Sequence, residues 1–166
     1  MIKSAIKIRR MRRADAPAMA RLMRDLVVFH GDQPKSTARH FTAHCLGSRR
    51  LVDAWLARVA GKPAGFIVTY DWFNFVRGKI TRTIDLLYID AEYRRSGMGR
   101  LLVAAAAKDA LAKGCMRIKV GARTENKAAN KFYQKLGFTQ RSDNSTYYTI
   151  EGGGLSSLTR PTGRPT

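Results

Sequence analysis

Acidic residues are scarce in this sequence. Twelve aspartates and glutamates stand against 31 lysines and arginines, giving a net charge of +19 and a pI near 10.8. Such a field slows the approach of polycations and concentrates anions, whether nucleic acid, an anionic membrane surface or a polyanionic small molecule. Cysteine is scarcer still: Cys45 and Cys115 are the two present, too few and too far apart for a disulfide framework, which predicts a reduced, cytoplasmic protein. No apolar run approaches the roughly 18 to 20 residues of a membrane span, so no membrane partner is expected. The opening MIKSAIKIRRMRR mixes charge through its apolar positions, so no signal peptide is expected either.

What is present is a foldable chain. Hydrophobic residues make up 45% of the 166, enough to bury a core despite the charge. The length fits one domain, residues 1–151, followed by a flexible tail, GGGLSSLTRPTGRPT, at 152–166. IKIRRMR (6–12) reads as a strand whose Arg9, Arg10, Arg12 and Arg13 form a solvated edge. Residues 13–31 read as a helix with Asp15 as N-cap, Pro17 in the first turn and Gly31 closing it. Met19, Leu22, Met23, Leu26 and Val27 share its apolar face. A weaker helix, STARHFTAHCLG, is followed by strands at 51–59, 63–73 and 80–90, the first two joined by a tight Gly61–Lys62 turn. Then come a helix at 99–114, a buried strand at 115–122, a helix at 125–137, and strands FTQR and STYYTIE. This order predicts an α/β domain, its sheet antiparallel first and partly parallel later.

The segment EYRRSGMGRLL (92–102) stands between an apolar strand and a long Ala/Leu helix. Gly97 and Gly99 have no Cβ, so backbone N–H groups can converge there on an anion. The helix behind them adds unpaired N–H groups and a positive end, and Arg94, Arg95 and Arg100 reinforce the field. A P-loop is excluded because Arg100–Leu101 follows Gly99 in place of Lys–Ser/Thr; a dinucleotide fingerprint is excluded because Leu102 stands where a third glycine belongs. Taken alone, R-x-x-G-x-G arises by chance about once in ten chains of this size.

Its context is more specific. LLYIDAEYRRSGMGRLL, followed some thirty residues on by NKAANKFYQKLGF, resembles the GNAT superfamily of acetyl-CoA-dependent N-acetyltransferases. The resemblance covers about residues 6–150, with its motifs at 83–138. TYDWFNF and TIDLLYID are most similar to the diamine and thialysine acetyltransferase branch, in which the position of Asp85 is typically a glutamate. The resemblance implies an acyl-CoA N-acyltransferase fold, a mixed sheet with a splayed strand pair flanked by helices. It implies that the backbone of Leu87, Tyr88 and Ile89 pairs with the pantetheine arm. Arg94, Arg95, Ser96, Gly97, Met98, Gly99 and Arg100 would surround the diphosphate, and Asn126 and Ala129 would contact the cofactor from the second motif. It also implies direct transfer without a covalent enzyme intermediate, and a homodimer.

Amine attack on a thioester needs a base, because an alkyl amine with a pKa of about 10.4 is protonated at neutral pH. It also gains from an acid at the departing thiolate. Asp85 is the candidate base, directly or through water, and Tyr133 the candidate acid. A backbone N–H on the splayed strand would meet the oxyanion. Other accounts exist for each: Asp85 as a strand carboxylate paired with Arg82 or a lysine, Tyr133 as helix packing, Asn126 as a helix cap. Trp72 and Phe73, with Phe75, either line the acceptor pocket or form core or dimer surface. His40, His44 and Cys45 have no third or fourth ligand at metal spacing, so no metal is expected.

The branch acetylates polyamines or amines that carry a carboxylate. So basic a chain suits the second class, and the expected acceptor is a small primary amine. Rival readings are a protein lysine or N-terminal amine acceptor, a non-catalytic acyl-CoA sensor, and a nucleic-acid-binding protein. For the last, no zinc-finger, RRM or helix-turn-helix signature is present and the second motif would go unexplained.

Overall fold

The computed structural model describes residues 6–141 and Ile150. The chain divides into two compact units, Met1–Asn130 and Lys131–Thr166. The first carries every described strand: β1 (Ile6–Arg10), β2 (Asp53–Val59), β3 (Lys62–Asn74), β4 (Lys79–Ile89) and β5 (Arg117–Val120). Its helices are α1 (Ala16–Phe29), α2 (Ala38–Cys45) and α3 (Met98–Ala112); α4 (Lys127–Lys135) crosses into the second unit.

The strands lie in sequence order, antiparallel from β1 through β4, with β5 parallel to β4, as the chain pattern predicts. Alternate residues serve opposite faces. On one face Leu56, Phe66, Val68 and Tyr88 bury against Met19, Leu22 and Leu26 of α1 and Phe41 of α2. The spacing of α1 anticipates this: Met23 is partly buried against the same core and Val27 is half-buried. Helix α3 crosses β1–β4. Its buried stripe is Met98, Leu102, Val103, Ala106 and Ala110.

Four local expectations are corrected. The β2–β3 turn is Ala60–Gly61, with φ of 47° and 81°, one residue earlier than expected. A two-residue hairpin turn of this type needs positive φ at both central positions, and Ala60 adopts it so that Val59 can pair with Lys62. Asp15 stands at the N-cap of α1 but makes no capping bond to it; its carboxylate binds Arg9, Arg58 and the Arg12 N–H. Arg9 is accordingly half-buried in its ion pair with Asp15, whereas Arg10, Arg12 and Arg13 are exposed as expected, Arg10 while paired with Asp53. Residues 138–141 form no strand, since a strand exists only where a partner ladder holds it. The expected strand STYYTIE and the tail at 152–166 lie outside the described residues.

Candidate active site

Strand β4 is the site's axis. Its parallel ladder with β5 ends at Ile84↔Val120, yet it runs on to Ile89 beside β3. The segment Asp85–Ile89 thus has a backbone edge that β5 does not cover. In the β3–β4 register Thr69 faces Ile84 and Val68 faces Leu86, so Asp85 is the extra residue of a β-bulge at the point where β5 departs. Bulges re-aim side chains and end pairing. Asp85 is exposed, makes no hydrogen bond or ion pair among the described residues, and has a carboxyl raised above its ordinary pKa by desolvation.

Arg82, the partner suggested by sequence, is engaged elsewhere. It is fully buried. Its Nε and Nη2 fork onto Asp71 at 2.7 and 2.6 Å, and Nη1 donates to the Ala106 carbonyl at 2.9 Å and Asp109 at 2.8 Å. Asp53 lies at 3.5 Å from Nη2 and also receives Arg10 at 2.8 Å, Arg50 at 2.8 Å and Lys113 at 2.5 Å. Desolvation opposes ionisation of Asp53, but these three donors outweigh it and hold its carboxyl well below the usual range. The Arg82 bonds hold Asp71 down despite desolvation. In Asp109 desolvation is outweighed by Arg82 and Arg10. The network ties β1 through β4 to α3 directly below the bulge. Its sequence signal is an arginine inside a strand rich in apolar and β-branched residues.

Beyond Ile89 the chain makes a 3-10 turn, Ala91–Tyr93, capped by Asp90 Oδ1 accepting from the Ala91 N–H at 2.8 Å. It then enters α3 through two left-handed residues, Arg95 (φ 62°) and Gly97 (φ 88°). Arg95 has a Cβ there, at a cost of order 1 kcal/mol. The first bond into α3 is Leu101 N–H to Gly97 O. Among the described residues no acceptor takes the N–H of Arg95, Ser96, Gly97, Gly99 or Arg100, and Met98 N–H reaches only Ser96 Oγ at 3.4 Å. Ser96 Oγ in turn donates to Tyr93 O at 2.6 Å. Successive free N–H groups at a helix start make an anion-binding concavity, and a diphosphate fits its donors. Arg95 and Arg100 are exposed beside it. Arg94 turns aside: its Nε donates to Ile89 O at 3.1 Å and its guanidinium covers Phe29.

The remaining predicted residues divide. Leu87 and Ile89 are half-buried in the β5-free segment; Tyr88 gives its ring to the core against Phe66, and its carbonyl oxygen is turned toward Gly65 of β3. Trp72 is partly exposed, and its indole N–H donates to Thr83 Oγ1 at 3.1 Å, two residues before Asp85. Phe73, one residue on and so on the opposite face, contacts Phe75 with ring centroids 5.0 Å apart. Trp72 thus reaches β4 at Thr83, and Phe73 lies on the other face of β3. Asn126 caps α4, its Oδ1 accepting from Ala129 N–H at 3.0 Å, and both are half-buried. In the second unit, Tyr133 packs edge-on to Phe132 and Phe138, and burial pushes its phenol up to about 12. His40 and His44 stack, with His40 Nδ1 accepting from Thr37 N–H at 3.2 Å. Cys45 and Cys115 are buried free thiols, and desolvation raises both.

Three features escaped the sequence reading: the Arg82 network, the bulge, whose trace is the Leu86–Leu87 break in alternation, and the crowded position of Gly65 on β3. The model of the acetyltransferase (GNAT) family matches residues 18–138, most of the chain. The chain belongs to the GNAT family of acetyltransferases. Relatives in the family include a thialysine N-epsilon-acetyltransferase of Sus scrofa, 28% identical over 143 residues, covering 81% of this chain and 84% of the pig protein. The Mus musculus counterpart is 24% identical, covering 93% and 98%. An uncharacterised N-acetyltransferase of Methanocaldococcus jannaschii is 28% identical over 88 residues, and the match spans 52% of this chain and 39% of that protein. Among solved structures, an integron cassette protein of V. cholerae superposes with TM-score 0.76 at 22% identity, covering 94% of this chain and 98% of its own. An aminoglycoside acetyltransferase from an uncultured soil metagenomic sample, in complex with sisomicin, gives 0.77 at 21%, covering 91% and 100%. These likenesses show the shared fold, including the mixed sheet expected from the family.

Proposed function

We propose that this chain moves the acetyl group of acetyl-CoA to the primary amine of a small molecule that also carries a carboxylate. The observation that carries this reading is one of continuity. A β4 segment whose β5-side edge is free (Asp85–Ile89) leads within ten residues into a run of unpartnered N–H groups (Arg95–Arg100). Acetyl-CoA, which supplies the activated thioester, has a diphosphate suited to the run and a pantetheine amide chain suited to the free edge. In this reading Arg95, Ser96, Gly97, Met98, Gly99 and Arg100 hold the diphosphate, with Arg94 adding to the field, and Leu87, Tyr88 and Ile89 offer backbone. Asn126 and Ala129 support the cofactor from the start of α4.

Asp85 takes the proton from the acceptor amine. Without a cationic partner among the described residues the carboxylate stays basic, and desolvation raises its pKa further toward that role. Tyr133 gives a proton to the thiolate; its phenol stays neutral across the physiological range. Trp72 contributes an exposed indole to acceptor binding. A basic surface favours an amine that also bears a negative group over a polyamine, and the relatives named for thialysine act, by name, on such an amino acid.

The test is thiol release from acetyl-CoA across a panel of amino acids, diamines, aminoglycosides and lysine peptides, with Asp85→Asn and Tyr133→Phe alongside. The expected result is turnover of a carboxylate-bearing amine that is lost in both variants. Acetyl-CoA binding without turnover of any amine would leave a sensor, and a protein that does not bind acetyl-CoA would overturn the reading.

A further inference from the structure

Gly65 pairs with Ile89, the last residue of the β5-free segment. A Cβ built on it would stand 2.7 Å from the Tyr88 carbonyl oxygen, 2.9 Å from Ile89 Cδ1 and 3.1 Å from Met98 Sδ. Real Cβ atoms do not approach that closely, and the nearest obstacle is backbone, which no rotamer change can move. The φ of Gly65 is not left-handed, so its need for glycine is one of space and not of conformation. Met98 is the first residue of α3 and is almost fully buried. The bare Cα of Gly65 is therefore where three parts meet: the end of β4, its carbonyl row, and the residue from which the N–H cradle springs. A glycine within a strand marks this kind of close approach.

We infer that Gly65 is a positioning residue that sets the distance between the cradle and the free segment of β4. The inference rests on the reading of this site as an acetyl-CoA site. In that reading the two parts hold adjoining groups of one molecule, the diphosphate and the pantetheine arm that leaves it, so their spacing must match the distance between those groups. A side-chain methyl would force either Met98 or the Tyr88–Ile89 backbone outward, and a misplacement approaching 1 Å can cost about a hundredfold. Each part would keep its own donors and acceptors. The loss would fall on ligands that engage both at once.

The experiment compares Gly65→Ala with wild type for binding of ADP, which carries the diphosphate without the arm, of S-acetylpantetheine, and of whole acetyl-CoA, by calorimetry well below the melting temperature. Gly121→Ala is the control, because nothing lies within 4 Å of its Cβ position and its φ is not left-handed. The expected result is affinity for both fragments within about twofold of wild type, acetyl-CoA weakened about tenfold to a hundredfold, and no change in the control. If Gly65→Ala does not fold, Met98→Ala, which withdraws the side chain resting on Gly65, is expected to give the same split. Equal weakening of all three ligands, or no weakening of acetyl-CoA in a folded variant, overturns the inference while leaving the acetyl-CoA reading intact. Wild-type protein that binds neither ADP nor acetyl-CoA overturns that reading itself.

Discussion

A carboxylate that is to accept a proton must not be neutralised by a cation beside it. Asp15, Asp25, Asp32, Asp53, Asp71, Asp90 and Asp109 each have an arginine or lysine within ion-pair distance. Asp85 alone of the described aspartates has none, in a chain with more than twice as many cations as acids. Its raised pKa places the acid limb of a kcat/KM profile above the ordinary carboxylate value of about 3.9, and Asp85→Asn should abolish that limb with a loss of about 10² to 10⁴ in rate. The sign for stability is opposite. A carboxyl whose folded pKa is raised destabilises the fold once ionised, so Asp85→Asn should raise the melting temperature at neutral pH, and the difference should vanish in acid where both side chains are neutral. A variant that loses both activity and stability would mark Asp85 as structural. Tyr133→Phe removes a proton donor whose phenol is pushed up to about 12; it should lower kcat by at least about 10² while leaving the KM for acetyl-CoA near wild type.

At the scale of elements, β4 does two jobs in one strand. Below the bulge it is pinned, by the Asp71–Arg82 fork across to β3 and by Arg82 to Ala106 and Asp109 of α3. Above the bulge it is freed from β5. Removing one member of a buried ion network leaves uncompensated charges, so Arg82→Met should cost about 3 to 5 kcal/mol, seen as a lower urea midpoint with unchanged slope. That network, together with the separate Asp15 cluster with Arg9 and Arg58, predicts acid lability. Asp15, Asp53, Asp71 and Asp109 all have lowered pKa values. The stability they confer is complete above the unfolded value of about 3.9 and is lost as pH falls below it. Urea titrations at descending pH should show the midpoint collapse there, and a flat midpoint would contradict the assignment. Little of this was legible beforehand. The strand TRTIDLLYID reads as a strand in any register, and the bulge exists only relative to β3.

For the whole molecule, the distribution of charge matters more than its sum. Asp15 and Asp53 are buried, and Asp71 and Asp109 are turned onto the buried Arg82, so four of the twelve acids are drawn inward and leave the surface more basic than the composition alone implies. A polyanionic cosubstrate approaching such a surface is steered. Raising salt from about 0.01 to about 0.1 M shortens the screening length from about 30 to about 10 Å. Over that range the KM for acetyl-CoA should rise while kcat holds. A kcat that falls with it, or tight binding to nucleic acid that persists at the higher salt, would assign the charge to another partner.

The sequence by itself determined the element order as far as α4, the antiparallel-then-parallel sheet and the place of the cradle. Each of these follows from local rules: periodicity, helix ends, and glycines between a strand and a helix. Only the tertiary structure decided which aspartate stays unpaired, where β4 parts from β5, and why Gly65 must be glycine. Those facts depend on neighbours far apart in the chain: Asp85 on the capture of Arg82 by Asp71 and Asp109, the free edge on where β5 stops, and Gly65 on a methionine 33 positions later that packs onto its Cα.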